Sequence, residues 1–230
     1  MISDFMINGY IQNLKCDYLD RKTALKGEVE RQLIHLSTGI TLIFLIQAAG
    51  DMALPLLLIL LAFYMTISIA IFLNKLPLPL SAFLCRWGRP SKQAIPLKGT
   101  ILLLSGTILS FILFPEEILY ASIAIVAFGD SVATAIGVLI GRHKLPYSGE
   151  KTIEGTASGI IAAFLASLIF VTPVQAFTGA AGGMLLESVV SLQTNRELNS
   201  QIIFKFLFND NFLIPLFSGL LMFLVGLSNI

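Results

Sequence analysis

Apolar residues in this chain gather into long runs separated by short polar stretches. Seven runs, Leu33–Ala49, Leu54–Leu73, Thr100–Phe114, Ile118–Ile140, Ile153–Val171, Val174–Leu192 and Phe212–Ser228, lie close to the roughly 20 residues that an α-helix needs to cross a bilayer. The third is short for a span and the first is borderline. Residues 1–30 read differently. Phe5, Ile7, Tyr10, Ile11, Leu14, Tyr18 and Leu19 alternate there with Lys15, Arg21, Lys22 and Lys26, as in an amphipathic segment lying on a membrane. Leu76–Trp87 is broken by Pro77 and Pro79 and reads as interfacial, with Trp87 as a headgroup anchor. The pattern predicts an all-α polytopic integral membrane protein of about seven transmembrane helices. An amphipathic N-terminal segment (residues 1–30) precedes one transmembrane domain (residues 31–230).

Charge orients this scheme. All fifteen Lys and Arg residues fall on alternate loops: Lys15 to Arg31, then Lys75, Arg86, Arg89, Lys92 and Lys98, then Arg142, Lys144 and Lys151, then Arg196 and Lys205. The opposite loops carry only Asp51, Glu116 and Glu117 as charges. The positive-inside rule places the N-terminus in the cytoplasm and the C-terminus outside. Composition agrees, with 56% hydrophobic and only 13% charged residues against about 25% charged in a soluble domain. A net charge of +1 gives no reason to expect a nucleic-acid partner. Cys16 and Cys85 form neither a disulfide framework nor a metal spacing, and residues 1–31 lack the pattern of a signal peptide.

Several ionisable residues gather at the cytoplasmic ends of these helices. Asp130 lies about 16 Å from the Gly141 end of its helix at 1.5 Å per residue. Glu154 begins the next helix at that end, and Glu187 falls in the cytoplasmic third of the one after. Asp210 and Asn211 open the last helix, and Arg31 and His35, one turn apart, open the first. An ionisable residue within an apolar span is a functional-site hypothesis by default. Arg142, His143, Lys144 and Lys151 form a basic loop leading through Thr152, Glu154 and Gly155 into a helix N-terminus, where free N–H groups and the helix dipole favour phosphate. Carboxylates that hold Mg²⁺ beside cations that clamp phosphates are what phosphoryl transfer requires. No GxxxxGK[ST] motif occurs. Each residue also has a structural reading. Asp130 could pair with a neighbouring cation, Glu154 cap its helix, and Glu187 hydrogen-bond between helices. Arg142, His143, Lys144 and Lys151 could be ordinary loop charges, Arg31 and His35 an anchor and a packing residue, and Asp210-Asn211 a turn. Small residues at four-residue spacing (Gly129, Ala133, Gly137, Gly141; Gly155, Gly159, Ala163; Gly179, Gly183) line three consecutive helices and permit close approach.

The run Gly129-Asp130-Ser131-Val132-Ala133-Thr134, then Gly137, Gly141-Arg142-His143-Lys144 and Lys151-Thr152-Ile153-Glu154-Gly155-Thr156 resembles the signature of the CTP-dependent lipid-alcohol kinases. That family includes dolichol, phytol and farnesol kinases and the CTP-using diacylglycerol kinase. Glu30-Arg31 with His35 and Gly39, and Glu187 with Asp210-Asn211 and Pro215, are similar to its N- and C-terminal motifs. The resemblance implies γ-phosphate transfer from CTP to a membrane lipid alcohol, with Mg²⁺ as cofactor. Asp130 and Glu187 would bind the metal, or Asp130 would accept the hydroxyl proton, and Asp210 would join the catalytic set. Arg142, His143, Lys144, Lys151, Thr152, Glu154 and Gly155 would bind the nucleotide, with Arg31, His35 and Asn211 completing the site. The compact length fits a prokaryotic plasma-membrane enzyme working on the cytoplasmic side. The phosphatidate cytidylyltransferases share the central motif, but their C-terminal His-Gly-Gly…Asp-Arg element is not found here. A transporter using Asp130 as its coupling-ion site is a third reading, for which the sequence offers no inverted repeat. The alcohol and the oligomeric state stay open.

Overall fold

The computed structural model describes residues 21–73, 97–148, 151–195 and 209–228. Within them the chain is helical, with α1 (Arg21–Ala49), α2 (Ala53–Phe72), α3 (Lys98–Leu113), α4 (Glu116–Ala124), α5 (Ser131–Ile140), α6 (Ile153–Ser167), α7 (Pro173–Asn195) and α8 (Asp210–Ser228). The proposed amphipathic segment up to residue 20, the interfacial stretch Leu76–Trp87, both cysteines, Arg196 and Lys205 lie outside the described residues.

Among the described residues three helical stretches are long and apolar enough to cross a membrane: Gly27–Phe72, Glu116–Ile140 and Asp210–Ser228. The first is divided at Gly50, whose φ of +52° is a left-handed conformation that glycine adopts without penalty. One 3₁₀ turn, Gly50–Met52, then leads into α2, which packs back on α1. Lys98–Leu113 and Ile153–Ser167 are shorter apolar helices. Many large apolar side chains face outward, among them Phe44, Ile59, Phe72 and Ile169, all more than 60% exposed. Such a surface is unusual around a water-soluble bundle and suits a hydrocarbon solvent. The chain is a membrane protein by this measure.

The centre of the bundle is the continuous helical rod Glu116–Ile140. It is α-helical at both ends and π-helical over Ile125–Asp130. A π-turn inserts one extra residue and is frequent at functional sites. It is deeply enclosed, with Ile125, Val126 and Ala127 wholly buried and α1, α6, α7 and α8 packed around it.

Small residues set the helix spacings. The stripes of α5 and α6 face each other: a Cβ on Gly159 would lie 2.7 Å from the Ala133 Cβ, and one on Gly155 3.0 Å from the Gly137 Cα. On the opposite side α1 reaches the central rod at Gly39, where an added Cβ would come within 2.3 Å of the Ala127 Cβ. The Ser131 hydroxyl, donating to the Gln32 carbonyl at 3.2 Å, fixes the register of this contact. Both interactions bring the turn of α1 that carries His35 beside Asp130.

Gly39→Ala forces α1 away from the rod and should destabilise the protein by about 1–3 kcal/mol, the usual cost of overpacking. Gly39→Ala/Ala127→Gly should regain most of the loss in thermal unfolding of the detergent-solubilised protein. A double variant no better than the single would show that this contact does not set the spacing.

Candidate functional site

The loop between α5 and α6 folds back on itself to deliver one lysine. Helix α5 ends at Gly141 in extended backbone (ψ 123°). The Leu145 N–H donates to the Lys151 carbonyl at 3.0 Å and the Ile153 N–H to the His143 carbonyl at 2.8 Å. An isolated antiparallel bridge joins Lys144 and Thr152. The Lys151 N–H donates to the buried Ser148 hydroxyl at 3.1 Å. Thr152 then caps α6, its hydroxyl accepting from the Gly155 N–H at 3.2 Å, a standard way to satisfy a free helix-end donor. Glu154 in the first turn turns outward to the loop, where both carboxylate oxygens accept from the His143 N–H at 3.2 Å. His143 Nδ1 adds a 2.6 Å contact. The site therefore receives Lys151 alone among the loop cations, while Arg142, His143 and Lys144 remain exposed.

Around Lys151 the described residues assemble a cluster from four elements. Its ammonium donates to Glu187 Oε1 of α7 and lies 3.9 Å from Asp130 Oδ1 at the end of the π-turn. Asp130 Oδ1 also accepts from the Thr134 hydroxyl at 3.2 Å, one turn further along. Asp130 Oδ2 lies 3.8 Å from His35 Nε2 of α1, a buried nitrogen with no hydrogen bond. The Glu187 side chain is only 1% exposed, and those of Asp130, His35 and Lys151 13%, 15% and 20%. Burial disfavours the charge on Lys151, but Glu187, Asp130 and Asp210 together outweigh it and hold the ammonium above the ordinary lysine range. Lys151 is therefore a cation throughout the neutral range.

The other sequence-selected residues act on this cluster from a distance or are engaged elsewhere. Asp210, in the first turn of α8, is near enough for its charge to act on Lys151. Asn211 anchors α8 to α3, its Nδ2 donating to the Gly99 carbonyl at 3.3 Å, and its Oδ1 is buried without a hydrogen-bond partner. Arg31 pairs with Glu28 along α1. Sequence reasoning assigned no role to Thr134, although it stands in the run after Asp130, nor to Tyr147, Ser148 and Ser188. Thr134 was open to discovery, since it stands four residues from Asp130 on a helix and so shares its face. The other three lie in or against the loop and carry no periodic signal. A cavity of about 630 Å³ at the opposite end, lined by Pro115, Glu117, Phe170, Gln175, Phe223 and neighbours, holds one titratable group and none of the cluster.

Among the described residues no group of three or more His, Cys, Asp and Glu side chains is arranged to hold a metal ion. Asp130 and Glu187 are the two carboxylates that converge on one point, and the cation they meet there is the Lys151 ammonium. No protein-family model matches this chain, and neither does any curated protein or solved structure.

Removing Lys151 leaves Glu187 buried without its cation. Lys151→Met should cost about 3 kcal/mol, typical of breaking a buried pair from one side. Adding Glu187→Gln should restore at least half of it in chemical unfolding of the solubilised protein. Equal losses in the single and double variants would mean that the pair is not what stabilises this region.

Proposed function

We propose that this chain is an integral-membrane kinase that transfers the γ-phosphate of CTP to the hydroxyl of a membrane lipid alcohol, either an isoprenoid alcohol of the dolichol, phytol or geranylgeraniol kind or a diacylglycerol. The observation that carries the reading is the convergence of Asp130 and Glu187 on the Lys151 ammonium beside a basic loop, with His35 against the other oxygen of Asp130. The resemblance to the CTP-dependent lipid-alcohol kinases supplies the nucleotide and the acceptor class. The topology that goes with it is seven spans with the N-terminus in the cytoplasm. The site then faces the cytoplasm of a prokaryotic plasma membrane, where the nucleotide is found.

The roles follow from placement. Arg142 and Lys144, exposed on the loop, meet the triphosphate from solution, and the α6 N-terminus behind Thr152, with Gly155 in its first turn, adds its dipole. Lys151 supplies positive charge at the boundary between the loop and the buried carboxylates. Asp130 accepts the proton of the lipid hydroxyl, with His35 beside it to steady the carboxylate. The alcohol oxygen bonds to the γ-phosphorus as the bond to the β-phosphate oxygen breaks, leaving a lipid monophosphate and CDP. Mg²⁺ held by Glu187, or by Glu187 and Asp130 where Asp130 serves as a metal ligand instead of the base, would neutralise phosphate charge, the main demand of such transfers. The lipid needs only to bring its hydroxyl to the interface between helices.

Asp130→Asn should keep the fold, because amide and carboxylate are nearly isosteric, and should lower turnover at least 100-fold, the lower range for losing a general base. Retained turnover would remove Asp130 from this role.

The reaction itself is tested with purified protein, Mg²⁺, CTP labelled at the γ-phosphate and a panel of geranylgeraniol, phytol, a dolichol, diacylglycerol and phosphatidate. Label in an organic-phase monophosphate is the expected result. Labelled pyrophosphate released only with phosphatidate or a prenyl phosphate would move the chain to the CDP-lipid synthases. No lipid-dependent turnover would favour a transporter.

A further inference from the structure

The loop that carries Lys151 touches α7 at a second point. The Tyr147 hydroxyl lies 2.9 Å from the Ser188 hydroxyl, and Ser188 directly follows Glu187, the residue that Lys151 engages. Ser188 is wholly buried and donates its only hydroxyl hydrogen to the Leu185 carbonyl at 2.7 Å. The hydrogen between the two hydroxyls must therefore come from Tyr147, giving a directed chain from Tyr147 through Ser188 to the α7 backbone. Between these contacts the loop is stiffened by the Ser148 hydroxyl on the Lys151 N–H and by the Ser148 N–H on the Leu145 carbonyl.

We propose that Tyr147 is a positioning residue: its hydroxyl clasps the basic loop to α7 and so holds Lys151 at the buried carboxylates. The arrangement is a two-point fastening on consecutive α7 residues. The ion pair supplies most of the strength, and the tyrosine fixes where the loop sits before the lysine side chain is placed. Tyr147 acts on Lys151 through the loop and Ser188. Its influence on nucleotide handling rests on the kinase reading of the loop, whereas its influence on Lys151 does not.

Tyr147→Phe isolates the clasp. The ring remains, and the buried Ser188 hydroxyl keeps its Leu185 partner, so no buried donor is left unsatisfied and the bundle should stay folded. Two readouts separate the proposal from the kinase reading. Without nucleotide, acetylation of Lys151 by a limiting amine reagent, quantified by mass spectrometry, should rise about threefold or more in Tyr147→Phe and in Ser188→Ala. The double variant should be no more reactive than either single one, because the two hydroxyls form one interaction. With CTP and a lipid alcohol, Tyr147→Phe should raise the KM for CTP about three- to tenfold, the range expected for one hydrogen bond, while kcat and the KM for lipid change less than about twofold. Unchanged Lys151 reactivity, or fully additive effects of the two substitutions, would overturn the clasp. Increased reactivity in a protein that turns over no CTP would support the clasp and discard the kinase.

Discussion

A carboxylate enclosed by helices in an apolar medium needs a cation, because an unpaired buried charge costs several kcal/mol. Glu187 is that carboxylate, and the cation it receives comes from a loop rather than from a neighbouring helix. This one requirement ties the polar surface of the molecule to its interior. For Lys151 to reach inward, the loop must reverse, α6 must begin at Thr152, and Glu154 must close the loop against His143. Loop folding and charge compensation are thus a single problem, and Asp130 shares its solution by standing 3.9 Å from the same ammonium, with His35 beside its other carboxylate oxygen.

The second requirement is proximity. Four elements can present side chains to one point only if their backbones come close, and the small residues of α5, α6 and α1 let them do so. Packing in a membrane gains little from removing apolar surface from water, so close van der Waals contact and interhelical hydrogen bonds carry more of the association. The Gly39–Ala127 contact and the Ser131–Gln32 hydrogen bond are one example of each.

Much of this architecture was legible in the order of residues. Apolar runs bounded most of the helices to within a few positions, since charge and proline are costly inside them. The first helix instead begins at Arg21, a dozen residues before its apolar run, because a helix can continue past the apolar stretch through polar residues. The same contrast made Asp130 and Glu187 conspicuous, and the four-residue spacing of glycines and alanines marked the faces that meet. Other features left no such trace. Arg142, Lys144 and Lys151 look alike as loop cations, and only the reversal of the loop separates the half-buried one from the exposed two. Thr152 and Glu154 announced a helix start, but the partnership of Glu154 with His143 depends on how the loop closes. Tyr147 and Ser188 meet only because α7 returns past the loop. The π-turn carries no compositional mark at all, since it is defined by which carbonyl each N–H selects.

That π-turn makes register a discrete variable in this molecule. One residue more or less in a helix turns everything beyond it by about 100°. The half of the central rod before the turn, Ile118–Ala124, is buried on every side, whereas the half after it shows Val138, Leu139 and Ile140 to the outside. The extra residue lets one continuous rod obey two different surroundings and aims Asp130 at Lys151 at the junction. Loss of a single residue there would leave the composition, length and hydrophobicity of the span almost untouched while pointing its carboxylate at a different neighbour. In this rod, chemistry is encoded by counting as much as by residue type.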